Sequence, residues 1–104
     1  MVEIVWTEPA LNQIQEIAEY IALDNRSAAK DLVRKLFESV ERLSSFPESG
    51  RKIPELPDVP YREVISSPCR ILYKHTARQV IVIGVLRQER DFKRWLLSPG
   101  ETND

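Results

Sequence analysis

The sequence predicts an α+β domain. Its expected order is β-α-α-β-β-β, with a helical hairpin packed on one face of a four-stranded, mainly antiparallel sheet. Three observations carry this. Between Leu11 and Leu43, apolar residues recur at helical spacing in two blocks separated by Asp24-Asn25. From Tyr61 to Leu86 the pattern shifts to β-branched and aromatic runs broken by turn residues. Between these halves, residues 47–60 hold Pro47, Pro54, Pro57, Pro60 and Gly50, a stretch too rich in breakers to continue either pattern.

Each element follows from local chemistry. Val2-Glu3-Ile4-Val5-Trp6 is β-branched or aromatic and reads as an opening strand. Thr7 can cap a helix whose first turn holds Glu8 and Pro9, residues suited to a helix start. Leu11, Ile14, Ile17, Ala18 and Ile21 give that helix its apolar stripe. Asp24-Asn25 interrupts it and caps a second helix, striped by Ala29, Leu32, Val33, Leu36, Phe37, Val40 and Leu43. That helix must stop before Pro47, because the residue before a proline avoids helical geometry. The short link between the helices predicts an antiparallel hairpin.

Beyond the proline-rich loop, strands are expected at 61–65, 70–75 and 79–86, with turns at Ser66-Ser67-Pro68 and Thr76-Ala77-Arg78. The last strand is apolar on both faces and belongs in the sheet interior, while the sheet face away from the helices is expected to be free. A short, helical C-terminal segment around Phe92, Trp95 and Leu96 closes the domain at 1–97, and 98–104 reads as a flexible tail.

The 104 residues suit one domain with a single core. No apolar run approaches the roughly 20 residues that cross a bilayer, and the N-terminus has no signal-peptide pattern. One cysteine and one histidine exclude both an internal disulfide and a Cys/His zinc site. A cytoplasmic protein without metal or cofactor is expected. The net charge of −1 hides an asymmetry: residues 1–50 are acidic overall, and residues 51–97 are basic. Such a split suggests a basic working face for an anionic partner.

Strand alternation sets Arg70, Leu72 and Lys74 on one side of their strand and Ile71, Tyr73 and His75 on the other, with Arg62 opposite to Tyr61 and Glu63. Tyr73 is expected as a core or sheet-face aromatic with its hydroxyl at an edge, Glu63 as a cross-strand ion-pair partner, and Cys69 as a packing residue. Gly50 is expected to permit a left-handed turn. Stable binding to duplex DNA by this chain alone is not expected, since no helix clusters basic residues on one face.

The opening strand followed by Thr7-Glu8-Pro9-Ala10, the helix end Tyr20-Ile21-Ala22, Phe46-Pro47 with Gly50-Arg51, Tyr61-Arg62-Glu63, Arg70-Ile71-Leu72-Tyr73, and Val85-Leu86-Arg87 ahead of Arg90-Asp91 occur in a fixed order. In that order they resemble the RelE/ParE superfamily of toxins from type II toxin–antitoxin modules, from Val2 to about Leu97. The Phe46–Arg51 segment leans toward the ParE-like branch. The resemblance implies a toxin held inactive by a cognate antitoxin, with roles in growth arrest, plasmid maintenance or stress response. RelE-like members cut messenger RNA on the ribosome, whereas ParE-like members inhibit DNA gyrase without nuclease residues.

RNA cleavage by the 2′-hydroxyl needs a base, an acid and cations around the phosphate. The candidates are Arg62, Arg70, Tyr73 and His75. Val64 stands where a RelE-like nuclease places a second lysine, and Phe92 and Trp95 occupy the region of its C-terminal tyrosine. The expected activity is therefore gyrase inhibition, blocking replication. The alternatives are a ribosome-dependent mRNA endonuclease and a member that only binds its antitoxin. Target binding is assigned to Arg51, Arg62, Arg70, Arg87, Arg90, Lys93 and Arg94. Antitoxin binding is assigned to Phe92, Trp95 and Leu96, an apolar cluster near the chain end.

Overall fold

The computed structural model describes residues 1–87. Strand β1 (Glu3–Trp6) leads into helix α1 (Glu8–Ala22) and helix α2 (Arg26–Glu41), which ends in a 3-10 turn at Arg42–Ser44. Four strands follow: β2 (Arg51–Lys52), β3 (Arg62–Ser66), β4 (Cys69–His75) and β5 (Gln79–Arg87). The sheet order is β1-β5-β4-β3-β2. Only the β1–β5 pair is parallel; the other three pairs are antiparallel. The α+β layout is the expected one, with one strand more. Arg51–Lys52 is too short, and too closely flanked by prolines, to show a period of two.

Both helix starts are capped as the sequence suggests. The Thr7 hydroxyl accepts from the Ala10 N–H at 3.4 Å and donates to the Val82 carbonyl at 2.7 Å, so the cap also ties α1 to β5. The Asn25 side chain accepts from the Ala28 N–H at 3.0 Å and starts α2. The apolar stripes of the hairpin, Ala10 and Ile14 on α1 with Leu32, Leu36 and Val40 on α2, pack on Cys69, Ile71, Val82 and Val85 of the sheet. Trp6 and Phe37 extend this layer, with ring centroids 4.7 Å apart.

Strand β5 changes phase midway. Tyr73 pairs with Val82 and Leu72 with Gly84, so Ile83 is an extra, unpaired residue. The bulge returns Val85 to the helix side and sends Leu86 to the opposite side. Gln13 of α1 accepts from the Val85 N–H at 2.8 Å, bracing the strand just after the bulge.

The sheet face away from the helices is not free. Ile53, Leu72 and Leu86 form a second core there, with Leu56, Tyr61 and Ile83 packed against it. The physical reason is the composition of β4 and β5, which places large apolar side chains on both faces. The proline-rich segment supplies the cover through Ile53, which is 1% exposed. The expected C-terminal helical segment and the tail lie outside the described residues. Among the described residues, no helix is long and apolar enough to cross a membrane.

Candidate functional site

The basic half of the chain is organised around one buried carboxylate. Arg51, Glu63 and Arg70 share the face away from the helices: Arg51 pairs with Glu63 across β2–β3, while Arg70 pairs with Ile65, two residues further along β3. The Glu63 side chain is fully buried. One of its oxygens accepts from Arg51 Nε at 2.6 Å, and the other accepts from Arg70 Nε at 2.7 Å and Nη2 at 2.6 Å. The outer edge of the Arg70 guanidinium then donates to both oxygens of Glu55, Nη2 to Oε1 at 2.8 Å and Nη1 to Oε2 at 3.0 Å.

The result is a four-membered chain of alternating charge that fastens the 53–61 segment to the sheet. Hydrogen bonding from Arg70 holds the Glu55 carboxyl below its usual range despite partial desolvation. The Arg70 guanidinium is correspondingly held more firmly in its charged form by Glu55, then by Glu63, against the opposing effect of burial.

A second set forms on the helix side of β3 and β4. The Tyr73 ring is completely buried. Its hydroxyl donates to the Pro47 carbonyl at 2.8 Å and accepts from the Gly50 N–H at 2.9 Å. Burial pushes its pKa up, so the group is a poor proton donor to a substrate at neutral pH. Gly50 does not have a positive φ, contrary to the expected left-handed turn. Its requirement is space: a Cβ there would lie 2.5 Å from Tyr73 Oη, 2.7 Å from Tyr73 Cε1 and 2.8 Å from the Glu63 carbonyl oxygen. Arg62 Nη1 donates to the Gly50 carbonyl at 2.8 Å, completing the hold on this segment.

Arg62 also stands opposite Lys52 in the β2–β3 register, two like charges facing each other. Among the described residues neither makes an ion pair. With Tyr61 and Asp58 they line a cavity of about 310 Å³. Lys52 escaped the sequence reading because it was placed in an irregular loop; its pairing with Arg62 is a tertiary fact.

The remaining candidates are scattered. His75 is half-buried at the end of β4, one strand end away from the Glu63 cluster. Arg87 ends β5 with its guanidinium carbon 5.3 Å from the ring centre of Tyr20, a cation–π contact. Arg90, Lys93, Arg94, Phe92, Trp95 and Leu96 lie outside the described residues. Among those described, no group of three or more His, Cys, Asp or Glu side chains is placed to hold a metal.

Comparison with known proteins agrees with this fold. A family described as the ParE toxin of the type II toxin-antitoxin system, parDE, matches residues 4–92. A protein named "Putative toxin Y4kP" from Sinorhizobium fredii (strain NBRC 101917 / NGR234) is 40% identical over 48 residues, 46% of this chain. The match spans half the length of that relative. A solved structure titled "Chromosomal ParDE TA system from P. aeruginosa" superposes with a TM-score of 0.69 at 21% identity, over 84% of this chain and 96% of that one. This likeness is one of fold. The family match spans most of the chain, and by it the protein belongs to the ParE family of toxins of type II toxin–antitoxin systems.

Proposed function

We propose that this chain arrests growth by inhibiting DNA gyrase, with no catalysis of its own, and that a cognate antitoxin neutralises it. The observation that carries this reading is the engagement of two of the four would-be nuclease groups. Arg70 is clasped between Glu63 and Glu55, and the Tyr73 hydroxyl is spent on Pro47 and Gly50. A phosphoryl-transfer site needs its cations and its acid open to the substrate. Lys52 and Arg62, the latter with Nη1 on the Gly50 carbonyl, make no ion pair among the described residues, and with the exposed side of Arg51 they are suited to holding an anionic surface. Arg87, Arg90, Lys93 and Arg94 are proposed to extend that contact, and Phe92, Trp95 and Leu96 to receive the antitoxin. A single domain over 1–97 is proposed to carry the whole activity.

The ribosome-dependent endonuclease reading draws on one feature, the unneutralised Lys52–Arg62 pair beside a cavity. His75 is the proton-transfer group left to it. His75→Ala therefore separates the two readings. A gyrase inhibitor carrying this change should arrest growth as the parent does, whereas a nuclease using His75 should lose about 100-fold of its activity.

A further inference from the structure

Lys52 and Arg62 face each other across β2 and β3. Like charges set directly opposite each other destabilise a sheet unless an anion lies between them. No carboxylate of the described residues supplies that anion, since neither side chain makes an ion pair. Both cations line a cavity of about 310 Å³. Asp58 lines it too, but pairs with neither of them.

The walls of this cavity are fixed from two directions. The bond from Arg62 Nη1 to the Gly50 carbonyl, 2.8 Å, orients the guanidinium, while Nε and Nη2 make no hydrogen bond among the described residues. The rest of the wall runs from Pro57 to Tyr61. Pro57 and Pro60 restrict its backbone. Turns from the Leu56 N–H to the Ile53 carbonyl at 3.0 Å and from the Val59 N–H to the Leu56 carbonyl at 3.3 Å shape it. Ile53 and Leu56 root this segment in the second core, and Arg70 holds it through Glu55. A site ordered before its ligand arrives binds with less entropy loss.

We propose that this cavity binds a small phosphomonoester, with the phosphate between Lys52 and Arg62 and a hydroxyl or amino group of its organic part donating to Asp58. A terminal phosphate carries close to two negative charges at neutral pH, which matches two cations. A phosphodiester carries one and would leave a cation unmatched. Arg62 offers planar donors to the phosphate oxygens, and Lys52 a mobile point charge. The volume lies at the lower end of the range for small-molecule sites. Asp58 disfavours a nucleic-acid strand, whose backbone is tracked by an unbroken run of cations. The inference does not depend on gyrase being the target, because binding is read on the purified chain.

The test titrates the isotope-labelled chain, in phosphate-free buffer, with adenosine monophosphate and with glycerol phosphate. The comparators are cyclic adenosine monophosphate as a diester, adenosine as a body without phosphate, and a short single-stranded DNA. At least one monoester should bind saturably at millimolar concentration or below, weaken with added salt, and shift the amide resonances of Lys52, Asp58, Val59 and Arg62. The tighter of the two identifies the organic part as a nucleoside or a small polyol. The cyclic diester should bind at least about tenfold more weakly, and adenosine should not bind. Lys52→Gln and Arg62→Gln should each weaken the monoester about tenfold, as loss of one charge-assisted hydrogen bond does. Lys52 is exposed, so its variant should keep the parent's thermal midpoint. It carries the test alone if Arg62→Gln, which also loses the Gly50 contact, fails to fold. Absence of saturable binding by either monoester, equal binding of the cyclic diester, unchanged affinity in Lys52→Gln, or tighter binding of the DNA would overturn the proposal.

Discussion

Gly50 shows how far a single residue's role depends on its neighbours. In sequence it reads as a turn former. In the fold it is the only residue type small enough to pass beneath Tyr73 while its N–H and C=O serve Tyr73 and Arg62. Gly50→Ala should cost about 1–3 kcal/mol of unfolding free energy, the usual range for overpacking. Urea denaturation would measure it; a loss of a few tenths would mean that the 46–51 segment yields easily and does not fix Tyr73. Glu63 was legible as a cross-strand partner, since alternation and charge suffice to suggest it. Its service to two arginines was not, because Arg51 belongs to a strand of two residues and Glu55 to a segment with no period at all.

The helices and β3 to β5 were legible at the scale of elements, because capping residues and apolar periodicity report on local geometry. The 53–61 segment was not. Prolines mark it as irregular, but they do not say that it folds back to cover Leu72 and Leu86.

Its ion-pair fastening makes a pH prediction. The Glu55 carboxyl titrates lower in the folded chain than when unfolded. Its contribution to stability is therefore full above the ordinary carboxylate range and is lost as pH falls through the folded pKa. Urea midpoints should decline more steeply between pH 7 and about pH 3 for the parent than for Glu55→Gln, which should begin lower at neutral pH. Parallel curves would show that the Glu55–Arg70 pair adds nothing to holding the segment.

The charge asymmetry of the two halves organises the whole molecule. Part of the basic half is consumed internally by Glu63 and Glu55. Among the described residues of that half, Lys52, Arg62, Lys74 and Arg78 make no ion pair, and Arg51 keeps an exposed side. Sequence could show that cations outnumber acids after residue 50, but not which of them were already spent. That distinction turns on burial and register. Arg70, one of the two strand arginines that the resemblance to nucleases offered as phosphate ligands, is the arginine the fold has enclosed.

The most direct measurement is supercoiling of relaxed plasmid by purified gyrase with ATP, with the purified chain added and cleaved DNA scored on the same gel. Loss of supercoiling with accumulation of cleaved plasmid, unchanged by His75→Ala, is the predicted result. Undiminished supercoiling in the presence of folded, growth-arresting protein would contradict the account.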